Sequence, residues 1–386
     1  MGKRRLRGHI QEVLEAAPDR IEPPCVYFRE WQCGGCQWQH ISYEGQLERK
    51  RESVHAAMRR HQIPLAVTAI HALSDPWRYR STAGIALGRH AGFRRHGSLA
   101  IVPMCDCPIS HPLIGRLMAS LNELLEDGRL PDFHGRVRLE VHVVADPGGA
   151  RLQVLVRPSG DGTWPEADKI EALTSALLAM GEVSGLAITE SDGSIAPVSG
   201  PLFATVLVDG RPVSVTAGTF FQTNLRLLGA LISRLQEEAR PLNNKRIADV
   251  YGGVGIFGLF LADEAEEIVI IEADDLAIAA AKHTARRWEL SNVQFVHGRA
   301  EEALTNPASQ YDVLILDPPR SGLTDPVLEA LIAGRPPLIL YVSCLAESLA
   351  RDLHRLTEAG YDADHLEMFD FYPQTYHVEL LAVLRA

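Results

Sequence analysis

From about residue 218 the chain alternates short apolar runs with longer amphipathic stretches, and no other feature restricts its fold as much. RIADVYGGVGIFGLFLA (246–262) reads as strand, glycine-rich turn and helix. EEIVIIEA (266–273) is a strand and DDLAIAAAKHTARRWEL (274–290) a helix, followed by the strand NVQFVHG (292–298). DVLILDPPR (312–320) is a strand ending in a Pro-Pro loop, and PLILYVSC (337–344) is the next strand. AESLARDLHRLTEAG (346–360) is a helix with a glycine stop, and HLEMFDF and HVELLAVLRA close the chain as two strands. Repeated strand–helix units need a parallel, doubly wound α/β sheet, because each helix must return the chain to the same edge.

Upstream the grammar changes. Residues 76–217 hold short alternating runs (RLEVHVV, RLQVLVR, ATVLVDG, PVSVTA) broken by Gly, Pro and Asp, the pattern of strands and turns in a mostly-β domain. Residues 23–75 carry a Cys-, Gly- and Trp-rich stretch and then YEGQLERKRESVHAAMRRHQ (43–62), which has helical composition. Residues 1–22 are short and have no core of their own. The basic N-terminus lacks an apolar signal core, and no run reaches the ~18 apolar residues of a membrane span, so a cytoplasmic protein without membrane partners is expected.

Charge is unevenly placed. The first 100 residues hold 16 Lys and Arg against 9 Asp and Glu, whereas the remainder hold 22 against 40. A basic front on an acidic chain suits an anionic partner that touches one part of the surface; a solvated face without a partner is the alternative. Among basic residues, Arg49-Lys50-Arg51 beside Trp31, Trp38 and His40, and Arg94-Arg95 in GFRRHG, suit phosphate contact and base stacking.

In an open α/β sheet, ligands sit at the carboxyl ends of the strands. Gly253 lies in the glycine turn and Glu272 ends the next strand, where a carboxylate accepts hydrogen bonds from ribose hydroxyls. That implies a nucleoside-bearing cofactor without separating a dinucleotide from S-adenosylmethionine. Asp317 and Cys344 end two further strands. Glu379 begins the last, and it reaches the same rim if that strand runs antiparallel. A thiol and a carboxylate beside a methyl donor suit methylation of uracil C5. Thiolate addition to C6 makes C5 nucleophilic, and a base then removes the C5 proton.

FFQTN (220–224), DVYGGVG (249–255), DPPRSGL (317–323), YVSC (341–344) and QTYHVE (374–379) resemble, in order and spacing, the RNA 5-methyluridine methyltransferases. The resemblance implies a class I, Rossmann-like methyltransferase domain at 218–386 behind a central RNA-binding domain at 76–217. It also implies that Gln222, Tyr251, Glu272, Arg299 and Asp317 contact S-adenosylmethionine, with Cys344 the nucleophile and Glu379 the base. Two positions depart from the family pattern: Leu345 stands where Asn is usual and Ile256 where Asn or Gly is usual.

Cys25, Cys33, Cys36 and Cys107 supply four thiolates, with Cys105 an alternative fourth, and on chemistry alone zinc and an iron–sulfur cluster suit them equally. CGGCQWQH (33–40) resembles the [4Fe–4S] segment of the ribosomal-RNA branch of the family. This implies such a cluster at 23–75, 23S rRNA as partner and a monomeric protein. Residues 3–24 resemble only the tail of a TRAM barrel, so the start is expected to be truncated or to work without the barrel. A tRNA uracil-C5 enzyme, an amino-group methyltransferase with an Asp-Pro-Pro loop and a non-catalytic ribosome assembly factor are the competing readings.

Overall fold

A computed structural model describes residues 12–160, 162–304 and 308–386. Half of the expected N-terminal tail, residues 1–11, lies outside them; the described remainder joins the protein through the bridge Arg20–Ile41.

The C-terminal sheet has eight strands. In spatial order they are Val67–His71, Asp362–Phe369, Glu379–Arg385, Leu338–Ser343, Val313–Leu316, Arg246–Val250, Glu267–Glu272 and Val293–His297. All neighbours run parallel except where Glu379–Arg385 inserts antiparallel to both of its partners. The inner strands Leu338–Ser343, Val313–Leu316 and Arg246–Val250 are largely apolar and buried because both faces are covered. Ile247, Val313, Ile315, Leu338 and Leu340 face one core with the helices Leu225–Ala239, Ile256–Leu261 and Asp275–Arg287. Ala248, Val250, Leu314, Leu316 and Ile339 face the other, with Tyr43–Arg60, Asp325–Gly334 and Ala346–Glu358. Fully burying each aliphatic side chain stabilises the fold by about 1.5–3 kcal/mol.

The central sheet has nine strands, seven of them in one path from Ile101–Pro103 to Ile195–Ser199. Two helices that strand-and-turn grammar does not predict, Pro112–Glu126 and Ala167–Leu178, pack their apolar stripes on its core. Pro112 sits in the first turn of one, where a missing N–H costs nothing, and His111 caps it.

Two segments cross the boundaries read from composition. Residues 43–71, grouped in sequence with the cysteines, add the helix Tyr43–Arg60 and an edge strand to the C-terminal layer. The hairpin Phe203–Val208 and Arg211–Thr216 touches the central sheet at Ala145–Thr205 but buries Val206, Val208, Val213 and Val215 in the C-terminal core. Tertiary burial decides both, and composition carries no signal of it. Among the described residues no helix is long and apolar enough to cross a membrane.

Candidate active site and nucleic-acid groove

The strand Arg246–Val250 ends in a turn built on left-handed residues: Tyr251 has φ 61°, Gly253 56° and Gly255 76°. At Gly255 a Cβ would lie 2.7 Å from Ile270 Cδ1, so glycine is required for packing as well as for φ. At Gly253 a Cβ would meet nothing, because that face opens on a cavity. Glu272 is locked beside the turn: its carboxylate accepts from the N–H groups of Gly253 (2.8 Å), Ala273 (2.7 Å) and Asp274 (2.8 Å).

The cavity holds about 710 Å³. Gln222, Tyr251, Gly253, Glu272, Asp317, Cys344 and Glu379 all line it. Arg299 does not. It is exposed in a smaller pocket of about 170 Å³ that shares Tyr251 and Glu272 with the main one. Ile256, the departure in the glycine turn, is buried in the cavity wall. Leu345 points away, 41% exposed.

Several polar atoms here lack partners. Gln222 Oε1, Glu379 Oε1 and, behind the turn, Asp249 Oδ1 are buried without a hydrogen bond. Leaving such an atom unsatisfied costs about 1–3 kcal/mol, a cost a polar ligand relieves. Burial, helped by the charge of Glu272, pushes the Asp249 carboxyl up to about 7, although Gly258 N–H donates to its other oxygen at 2.8 Å. Asp317 is also pushed up to about 7, by burial and then by Asp249. Burial raises Glu379 well above the carboxylate range; Asp317 adds to the shift and Arg320 opposes it. Burial and Glu379 raise the Cys344 thiol, against the pull of the Arg320 guanidinium.

Four lining residues had escaped assignment. Arg320 and His377 stand inside recognised motifs, so the motifs were the available signal; Arg80 and Tyr372 come from distant segments with none. Burial and the nearby Arg320, Lys50 and Arg80 charges push His377 down to about 4, leaving it neutral. Its Nδ1 lies 3.0 Å from an Arg320 nitrogen that can only donate, so Nδ1 accepts and the ring proton sits on Nε2.

Cys344 opens on two sides. A second cavity, of about 680 Å³, reaches it together with Arg320 and His377, and its wall includes Trp38, Leu345 and Tyr376. A larger groove of about 920 Å³ meets the main cavity at Arg80, Phe220, Phe221 and Tyr372. It is lined by Arg94, Arg95, Arg138, Arg157 and His96, against a single carboxylate, Glu140. Phe220 (71% exposed) and Tyr376 (55%) stand in it, Tyr376 with its ring against His377 (centroids 4.4 Å apart).

One expectation is corrected. Of Arg49-Lys50-Arg51, read as a phosphate-facing stretch, Lys50 is fully buried and paired with Asp370 at 2.5 Å. Arg49 pairs with Asp19 and Arg51 with Glu48. Helical periodicity turns position 50 inward, and only the partner 320 residues away makes a charge tolerable there.

Cys25, Cys33, Cys36 and Cys107 are buried, whereas Cys105 is exposed. Burial raises the thiols of Cys25, of Cys33 to about 11 and of Cys36 to about 12, with the neighbouring cysteines contributing. Among the described residues, the one group of three or more metal-binding side chains whose ligand atoms all lie within 4.8 Å is Glu238, His365 and Glu367. No three of the four buried cysteine sulfurs all lie within 4.8 Å of one another.

A doubly wound sheet with an antiparallel strand inserted near its edge, and a glycine turn held against the Glu272 carboxylate over an open cavity, is the fold of an S-adenosylmethionine-dependent methyltransferase. Residues 207–386 match the family model described as tRNA (uracil-5-)-methyltransferase. An uncharacterised RNA methyltransferase of Thermosynechococcus vestitus is 31% identical over 411 residues, covering 98% of this chain and 87% of that one. One of Halalkalibacterium halodurans is 30% identical over 399 residues, covering 98% and 86%. The fold matches that of the Pyrococcus abyssi tRNA (uracil-54, C5)-methyltransferase in complex with S-adenosyl-L-homocysteine. The TM-score is 0.74 at 22% identity, over 97% of this chain and 88% of that one. The chain belongs to the RNA uracil-5 methyltransferase family.

Proposed function

We propose that this protein methylates uracil C5 in RNA, with 23S rRNA as substrate, through a covalent bond between Cys344 and uracil C6. The observation that carries the reading is one cavity shared by a thiol, a buried carboxyl without a partner and the glycine turn. S-adenosylmethionine supplies a methyl group on a positively charged sulfur. Gln222, with its unpartnered Oε1, and Asp317 suit the polar end of that molecule, and Tyr251, Gly253 and Glu272 its nucleoside; Arg299 is kept as an outer contact.

The chemistry follows from the residues. Cys344 loses its proton to cavity water, with Arg320 favouring the thiolate, and its sulfur bonds to C6. The electron pair of the C5–C6 double bond shifts toward C5 and O4, and C5 takes the methyl group as the methyl–sulfur bond of the co-substrate breaks and its sulfur leaves as a neutral thioether. Glu379, ionised with the Arg320 guanidinium opposing the effect of burial, then takes the proton from C5; the double bond re-forms and the C6–S bond breaks, returning the thiolate. The cavity is reached from the basic groove, so the target base leaves its stack to enter. The four buried cysteines are read as ligands of a [4Fe–4S] cluster. Their shared burial, their electrostatic proximity to one another and the exposure of Cys105 support that set. The cluster requirement in turn supports rRNA over tRNA.

The test offers unmethylated 23S rRNA and tRNA to the protein and to Cys344→Ala, with 5-fluorouridine RNA as a trap. Methyl transfer into 23S rRNA, an adduct with the trap, and loss of both in Cys344→Ala with RNA binding retained are expected. Activity on tRNA alone would replace the substrate, and an active Cys344→Ala variant would end the mechanism.

A further inference from the structure

The segment Asp370–His377 joins the last two strands and runs directly into Glu379. Its Tyr372 and His377 line the cavity beside Cys344 and Glu379. It has no regular structure of its own, and Gln374 within it sits at φ 68°. A non-glycine residue held there is strained and persists only where surrounding contacts dictate it.

Those contacts come from the N-terminal part of the chain. Gln374 and Gln46 clasp each other: Gln46 Nε2 donates to Gln374 Oε1 (2.9 Å), and Gln374 N–H donates to Gln46 Oε1 (2.8 Å). The N–H groups of Gln37 and Trp38, next to Cys36, both donate to Gln374 O at 3.0 Å. Lys50 Nζ donates to Asp370 Oδ1 (2.5 Å) and to Tyr372 O (3.0 Å), and both side chains of the ion pair are 0% exposed. A buried charge pair is weak evidence for stability, since apolar residues of similar volume serve as well; what it secures is one geometry.

We propose that Lys50 and Gln46 are positioning residues for methyl transfer: they hold Asp370–His377 in its strained form, so that Tyr372 and His377 wall in Glu379. The cysteine segment then acts on the chemistry mechanically, through Gln37 and Trp38. The inference rests on Glu379 being the base that takes the C5 proton. Disturbing the loop therefore slows the last step, proton removal and release of Cys344, more than the first.

The experiment uses the full chain with S-adenosylmethionine and ordinary uridine RNA, in Lys50→Met, Gln46→Met and Glu379→Gln. Lys50→Met leaves Asp370 buried and unpaired and risks unfolding; Gln46→Met removes the clasp together with the Gln46 Nε2 bonds to Trp38 O (3.1 Å) and Ile41 O (2.9 Å), leaves no buried charge unpaired, and decides the matter if it does. In Gln46→Met, turnover is expected to fall roughly 10- to 100-fold, as for a misplaced reacting group. Affinity for S-adenosylmethionine stays within about twofold, and a methylated protein–RNA adduct accumulates on denaturing gels. Turnover within about twofold of the parent, or a fall without adduct, overturns the proposal. If Glu379→Gln itself traps no adduct, the base assignment fails instead, and the two failures are told apart.

Discussion

Asp317 and Glu379 line the cavity and Asp249 lies buried behind its glycine turn, and all three hold their protons more tightly than ordinary carboxyls. A carboxyl whose pKa is raised by folding releases its proton on unfolding. Its contribution to stability is thus complete below about 4 and is lost as pH rises through about 7, the value of Asp249 and Asp317. Stability of the ligand-free protein is expected to fall over that window, and Asp249→Asn to flatten the fall in thermal melts; an unchanged slope would show that Asp249 is not a source. A cationic donor favours the ionised forms, so affinity for S-adenosylmethionine is expected to rise over the same window, with protons released on binding in calorimetry.

At the scale of elements, the antiparallel last strand accounts for the site. Its first residue, Glu379, pairs with Phe369, and Leu380 pairs with Ser343, which puts the carboxyl on the rim that carries Cys344. A parallel strand would have placed it at the opposite end of the sheet. The cysteine segment is loop-rich yet packs Cys33, Cys36 and Cys107 into the central core with Phe93. Under the cluster reading, anaerobically purified protein absorbs broadly in the visible, and Cys36→Ala loses iron and colour together. Colourless, zinc-bearing protein would exclude it.

At the scale of the molecule, the groove over the central sheet gathers arginines from separated strands: Arg94 from one, Arg138 and Arg157 from two others. Arg94 is partly committed to Leu99 O, Gly135 O and Ser159, which leaves Arg138 the freer cation. Arg138→Ala is expected to weaken RNA binding and to lower the log–log salt slope by about 0.7–0.9, the share of one phosphate. Affinity for S-adenosylmethionine is unaffected; a salt slope equal to the parent's would remove Arg138 from the RNA path.

The α/β class and the strand ends bearing Cys344, Asp317 and Glu272 were determined by the sequence alone. Each depends on local periodicity or on residues close in the chain. Lys50 turning inward to Asp370, Arg80 and Tyr372 entering the cavity, and residues 67–71 extending the far sheet were decided only by the tertiary structure. The reason is the same in each case: a side chain's environment is set by what packs against it, and those partners lie up to 320 residues away, beyond the reach of any local pattern.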